Sequence, residues 1–399
     1  MKILENERVK LVRSKDYNYN FDKKTGYFER YGKTKDEDPI MAPTCEILDL
    51  EISAGKCMGM CPECYKGNGD VDFETNMTLE GFANILHKVA KTRYAVHFKE
   101  KDCPSIYGNV TEEFCQRGCR TKEDVKKEVL KMFIKTDNIE RIDIYNEGLL
   151  QQVAFGICNI GTNKDFFNMM EYAREFDVIP NYTCHGLDMS EEYAQKTAKL
   201  CGAVAVSVYN KDKSYNAVKM LHDAGMKQIN FHVIAHDKSY KRIISIIDDL
   251  TTDERIKGKV KAVVMLKYKP KGNGVGKFNH LTDEQYKNII SYAEKNNIGI
   301  GFDSCSACSY LRAIKDDPDF KQKAIYAEPC ESGLFSAYIN CKGEFYACSF
   351  CENEGMWKSG IDVLNCNDFV KDVWNHPKTQ QFREVLLKNG RKCPMYNLD

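Results

Sequence analysis

Residues 47–64 read Ile-Leu-Asp-Leu-Glu-Ile-Ser-Ala-Gly-Lys-Cys-Met-Gly-Met-Cys-Pro-Glu-Cys. The first six are a short apolar-rich strand, and the rest is a Gly- and Cys-containing loop that leaves it. The three cysteines, Cys57, Cys61 and Cys64, have the spacing C-x3-C-x2-C. In a parallel barrel the loops after the strands form the active face, so these thiols are expected at a functional end. Three thiolates on one loop can hold three irons of a [4Fe–4S] cube and leave the fourth open to chemistry. A structural zinc site is an alternative, but it normally takes a fourth ligand from a second pair. A C-x2-C redox pair is another, and it leaves Cys57 unexplained.

Downstream of this loop the pattern is a repeated β-α alternation. Thr78 is a candidate N-cap for a helix at 78–91, with Leu79, Phe82, Ile85, Leu86 and Val89 on one face. Candidate strands at 152–157, 179–184, 203–209, 228–235, 261–267 and 299–303 alternate with candidate helices at 163–176, 189–200, 213–224, 238–250 and 283–295. Val/Ile-rich strands separated by helices mean a parallel sheet covered on its faces. Six or seven such units favour a partial (β/α)6 TIM-like barrel, with an open doubly wound sheet as the alternative.

Three stretches fall outside the alternation. Residues 1–44 form a leader whose aromatic–polar alternation around Lys23-Lys24-Thr25-Gly26 predicts a two-stranded hairpin serving as a lid or edge. Residues 93–148 read as a solvated insertion into the 45–303 barrel, and Cys103, Cys115 and Cys119 within it match no cluster spacing. Residues 304–399 are cysteine-rich, with short strands near 337–347 and closing helices near 366–375 and 378–388. They are expected to form a second, smaller domain with little apolar core.

The chain has 399 residues, 58 Lys+Arg against 58 Asp+Glu, and 18 cysteines. Zero formal charge argues against a nucleic-acid binder, which usually shows a basic excess. No stretch approaches the roughly 18–20 apolar residues of a membrane span, and the charged N-terminus is no export signal. The expectation is a soluble cytoplasmic protein, where clustered cysteines mean metal or redox chemistry more often than disulfides. Isolated Cys184 and Cys201 read as small buried hydrophobes. The Gly-rich stretch 271–276 reads as a flexible active-face loop and not as a phosphate cradle.

Strand, C-x3-C-x2-C loop and repeated β/α units together resemble the radical S-adenosylmethionine (SAM) superfamily over about residues 45–300. The resemblance implies that Cys57, Cys61 and Cys64 ligate a [4Fe–4S] cluster whose open iron binds SAM. One electron then cleaves SAM to a 5′-deoxyadenosyl radical that abstracts a substrate hydrogen. It implies an electron donor such as flavodoxin or ferredoxin. Tyr65, Phe155, Gly156, Ser207 and His232 are the candidate SAM contacts, His232 with a satisfied core histidine as its alternative. The match departs from the family at Glu63, where an aromatic residue is usual, and near Gly156, where an acidic residue is missing. In the tail, Cys330-x12-Gly343-x4-Cys348 resembles the opening of the SPASM/twitch extension, which implies an auxiliary [4Fe–4S] cluster. Cys305, Cys330, Cys348 and Cys393 are its expected ligands, with Cys308 and Cys351 in reserve, Cys341 and Cys366 as ordinary thiols, and a structural zinc site as the alternative. The resemblance implies modification of a ribosomally made peptide or protein. A small-molecule dehydrogenase or carbon-skeleton enzyme and a non-catalytic iron–sulfur carrier or sensor are the alternatives.

Overall fold

A computed structural model describes residues 1–100 and 102–398. Residue 101, within the expected insertion, and residue 399, at the end of the expected tail, lie outside the described residues. The centre is a ten-stranded sheet. Its strands are β1 (Ile47–Glu51), β2 (Gln152–Gly156), β3 (Ile179–Cys184), β4 (Val204–Ser207), β5 (Ile229–Ala235), β6 (Val263–Lys267), β7 (Ile300–Phe302), β8 (Ser336–Ile339), β9 (Glu344–Tyr346) and β10 (Ile361–Asp362). The order across the sheet is β7-β6-β5-β4-β3-β2-β1-β8-β9-β10. Every pair from β7 to β8 is parallel, and β9 and β10 join antiparallel.

Alternation along the strands separates two faces. Phe155 packs on Phe82 and Phe166, Tyr182 on Phe166, and Phe231 on Tyr215, so this set meets the covering helices. The residues one step out of phase form the opposite face: Asp49 on β1, Ala154 and Gly156 on β2, Thr183 on β3, Ser207 on β4, and Asn230 and His232 on β5. That inner face is polar. A sheet with helices on one side and hydrogen-bonding groups on the other is built to hold something against its inner side.

The helices start where local chemistry stops the preceding loop. Thr78 Oγ1 accepts the Gly81 N–H at 3.1 Å to open Leu79–Ala90, and Thr282 forms a capping box with Gln285 to open Asp283–Lys295. The expected apolar stripe of the first of these, Leu79, Phe82, Ile85, Leu86 and Val89, is buried.

Several expectations need correction. The leader is a four-stranded antiparallel meander, Lys2–Glu5, Val9–Arg13, Asn18–Asp22 and Phe28–Tyr31, in which the expected hairpin is the second half. Its first two strands carry two charges each, Lys2 and Glu5 on one and Lys10 and Arg13 on the next, as solvated strands would. Lys10 instead buries its ammonium, donating to the Gly148 and Leu150 carbonyls at 3.0 and 3.1 Å. The insertion is not solvated throughout: Thr92–Phe98, Ile106–Asn109 and Ile139–Asn146 form a three-stranded sheet, and Cys115 and Cys119 are buried with Phe114. The tail has a core of its own around Trp357, Trp374, Phe345, Phe369 and Phe382, all at most 3% exposed. It also holds helices, Ala307–Ala313 and Phe320–Ala324, that the cysteine spacing hid. Its strand β8 pairs with β1 in the register Ser336↔Ile47, so the central sheet runs on into the tail.

Candidate iron–sulfur and cofactor site

The cysteine loop leaves β1 and crosses the carboxyl ends of the parallel strands. Each of β2 to β6 supplies a contact from the segment that follows it. After β2, Asn159 Oδ1 accepts the Met58 N–H at 2.9 Å, and Cys57 Sγ lies 3.4 Å from the Cys158 carbonyl. After β3, His185 Nε2 meets Asn159 Oδ1 at 3.0 Å while its Nδ1 accepts the Leu187 N–H, so the proton is assigned to Nε2. After β4, the Tyr209 hydroxyl hydrogen-bonds Cys61. After β5, His236 Nε2 meets Glu63 Oε1 at 2.7 Å with both side chains buried, and Arg242 stands 3.8 Å from the same oxygen. After β6, the Asn273 N–H donates to the Cys64 carbonyl at 2.8 Å.

Two earlier readings change here. Glu63, out of pattern with the family loop, is the loop's buried anchor onto His236 and Arg242. The Gly-rich stretch 271–276 is a brace under the cysteines. Gly272 has φ +59, and a Cβ on it would stand 2.3 Å from the Cys64 carbonyl oxygen, so only glycine allows the approach.

The loop fits a sulfur-ligated group. A Cβ on Gly59 would lie 3.3 Å from Cys61 Sγ, 3.4 Å from Cys57 Sγ and 3.1 Å from His185 Cδ2, so the missing side chain is what keeps room between these sulfurs. The Gly59 N–H points at Cys57 Sγ at 3.4 Å. The Cys158 thiol beside Cys57, with His185 behind it, holds Cys57 down to about 4 against burial. Burial pushes Cys61 up to about 12 and also raises Cys64, with neighbouring thiols adding to both. A bound cation would favour the thiolates of Cys61 and Cys64 against this burial. Among the described residues no three His, Cys, Asp or Glu side chains close on one point as they do around a single ion.

The remaining expected contacts separate. Gly156 ends β2 with its Cα open on the inner face and its carbonyl accepting the Ile52 N–H at 2.9 Å. Ser207 and His232 are in register on β4 and β5, and Thr183 Oγ1 lies 3.3 Å from His232 Nδ1. Burial holds His232 down to about 4, so it is a neutral hydrogen-bonding group at pH 7. Phe155 is turned to the helices and lies outside this inner wall. The Tyr65 ring packs on Phe350 of the tail with centroids 4.3 Å apart, and its hydroxyl hydrogen-bonds Ser349. Cys158, Asn159 and His185 were missed by sequence reasoning. Their signal was position: each is a polar or thiol residue within three of a strand's end.

The tail brings the expected second set together. Cys305, Cys308, Cys330 and Cys393 line a cavity of about 440 Å³. Cys348 is close enough to Cys305, Cys330 and Cys393 to affect each, and it hydrogen-bonds Cys351. The Cys351 thiol holds Cys348 down to about 6, while burial pushes Cys330 up to about 11 and raises Cys305 and Cys393. Lys269, itself paired with Asp303 at 3.0 Å, favours the thiolate of Cys305 and Cys348. The two reserve cysteines therefore share the place of the chosen four. Cys366 lies apart, near Lys88. Cys341 hydrogen-bonds Glu51. Cys184 and Cys201 are buried, as small apolar side chains would be.

The chain shares its fold with solved structures of two other proteins. Streptococcus suis SuiB bound to precursor peptide SuiA aligns over 100% of this chain and 99% of its own, at 11% identity and TM-score 0.62. Native anSMEcpe with bound AdoMet and Cp18Cys peptide aligns over 88% and 86%, at 12% identity and TM-score 0.54. No family model and no curated protein sequence matches the chain.

Proposed function

We propose that this protein is a radical SAM enzyme that modifies a peptide or protein substrate. The observation that carries this reading is the cysteine loop seated over the ends of the parallel strands, with its sulfurs spaced by Gly59 and contacts from the segments after β2 to β6. Contacts from one loop to the segments that follow five successive strands support a sheet curled into a partial barrel. Cys57, Cys61 and Cys64 hold a [4Fe–4S] cluster. Loaded with the cluster and SAM, the site supplies one-electron chemistry: reductive opening of SAM and abstraction of a substrate hydrogen. The chain's own residues position and enclose. Glu63, His236 and Arg242 anchor the loop, and Asn159 and His185 fix the Met58–Gly59 backbone. Gly156 leaves room for a close approach at the end of β2, and Ser207 and His232 offer hydrogen bonds along the inner wall. Tyr65 and Phe155, already packed elsewhere, are not in this set. The tail cysteines hold an auxiliary [4Fe–4S] cluster, and an external one-electron donor such as flavodoxin or ferredoxin serves the first site. The peptide reading is supported by the likeness to SuiB and anSMEcpe, whose structures hold peptides.

The test is anaerobic reconstitution. About eight irons per chain are expected, four for each cubane. The Cys57→Ala/Cys61→Ala/Cys64→Ala variant is expected to retain the tail's share and form no 5′-deoxyadenosine from SAM under dithionite. 5′-Deoxyadenosine formation by that variant would defeat the assignment.

A further inference from the structure

Between the two cysteine sites lies a buried ionic junction that neither site requires for its ligands. Lys66 follows Cys64 by two residues. Its ammonium meets Glu51 Oε1 at 3.0 Å, the Tyr338 hydroxyl at 3.0 Å, and Glu352 Oε2. Side-chain exposures are 14% for Lys66, 7% for Glu51 and 13% for Glu352. Glu51 is the last residue of β1, and its second oxygen accepts the Cys341 N–H at 3.3 Å. Glu352 follows Cys351 directly. Its second oxygen accepts from Asn340 at 3.0 Å, and the Tyr338 hydroxyl donates to its first at 3.1 Å. Around this core the Tyr65 ring packs on Phe350, and the Lys271 ammonium donates to the Phe350 carbonyl at 3.0 Å.

We propose that Lys66 is a positioning residue that couples the two sites, so that the state of the tail cysteines is transmitted to the Cys57–Cys64 loop. This rests on the function proposed above. The physical reason is the cost of the junction. One cation and two carboxylates removed from water are expensive unless their geometry is held, and an apolar contact would join loop and tail without that cost. The ionic form has one satisfied arrangement. A shift of the Cys348–Glu352 segment pulls Glu352 from Lys66, leaves a buried carboxylate unpaired, and displaces the residue two places from Cys64. An apolar contact would slide instead. The junction therefore converts movement at one set of thiols into movement at the other.

The experiment uses the full chain with Lys66→Met, Lys66→Arg and Cys348→Ala. In iron-loaded protein reduced with dithionite, the SAM-dependent change in the electron paramagnetic resonance spectrum reports on the first site alone. Cys348→Ala is expected to alter that difference spectrum when Lys66 is present and to leave it unchanged in the Lys66→Met background. Lys66→Arg is expected to restore the response. An equal response to Cys348→Ala with and without the lysine overturns the proposal. Hydrogen exchange on the metal-free chain is the second arm. Lys66→Met is expected to speed exchange of residues 346–354 and 57–68 together by about tenfold. Acceleration of only one segment, or of neither, also overturns it. A chain that takes up no iron would defeat the proposed function, and the exchange arm would still decide the coupling.

Discussion

A methyl group on Gly59 would enter the space between Cys57 Sγ and Cys61 Sγ. Gly59→Ala is therefore expected to remove most of the first site's iron, about four atoms of eight, while the tail's iron stays. Its melting temperature should change by only a few degrees, since φ at this position is not left-handed. Iron analysis with thermal unfolding checks this. His232 gives a separate prediction. Burial lowers it from 6.5 to about 4, so its stabilising contribution is complete above about pH 6.5 and is lost as pH falls through 4. Glu46 and Asp49, raised by burial to about 7, act with the opposite sign: their contribution is present at low pH and lost as pH rises through 7. The pH slope of the wild type alone is thus ambiguous, and the difference between it and His232→Asn isolates the histidine. After allowance for partial solvent access, wild type should lose about 1–2 kcal/mol relative to the variant between pH 6.5 and 4. Denaturant unfolding at several pH values measures it. No difference would mean that His232 is solvated or protonated in the fold.

The elements around the loop act as supports, and they can be tested as such. Residues Gly272–Gly274 form a short 3-10 turn after β6 whose glycines let it touch the Cys64 and Tyr65 backbones. Gly272→Ala adds both a left-handed strain and a collision with backbone, which should cost about 1–3 kcal/mol. It should also lower first-site iron, because the displaced turn carries Asn273 off the Cys64 carbonyl. Gly276→Ala is the control: φ is +67 there too, but nothing lies within 4 Å of the added carbon. The control should lose some stability and no iron. Equal iron loss in both would mean that backbone strain, not bracing, governs the loop. This element was read from sequence as flexible because glycine signals permissive backbone. It does not say whether that permission serves motion or close packing.

At the scale of the molecule, the N-terminal meander, β1 and the tail meet at Arg30. Its guanidinium lies 2.8 Å from Glu46, 3.1 Å from Glu331 and 3.4 Å from Glu328, and 3.5 Å over the Phe335 ring. Arg30→Leu leaves Glu46, 1% exposed, without its cation, and should cost about 3 kcal/mol by denaturant unfolding. Arg30→Leu/Glu46→Gln should recover much of this, and a double variant as unstable as the single would show that the arginine acts through its stacking alone. The sequence by itself determined the β-α order, since apolar period and helix caps are local; the Asp283–Lys295 helix and the Ile179–Cys184 strand came out with their limits. It also singled out the loop proposed here as the sulfur site, because three cysteines at C-x3-C-x2-C leave few other uses. Tertiary structure alone decided that β8 extends the sheet beside β1, that Lys10 of a charged strand is buried, and that Glu63, Asn159, His185 and His236 converge on one loop from separate strand ends. It also decided that Tyr65 faces the tail, and that Cys308 and Cys351 stand with Cys305, Cys330, Cys348 and Cys393. These are contacts between residues tens to hundreds of positions apart, and their partners are chosen by the curvature and register of the sheet, which no local pattern of residues encodes.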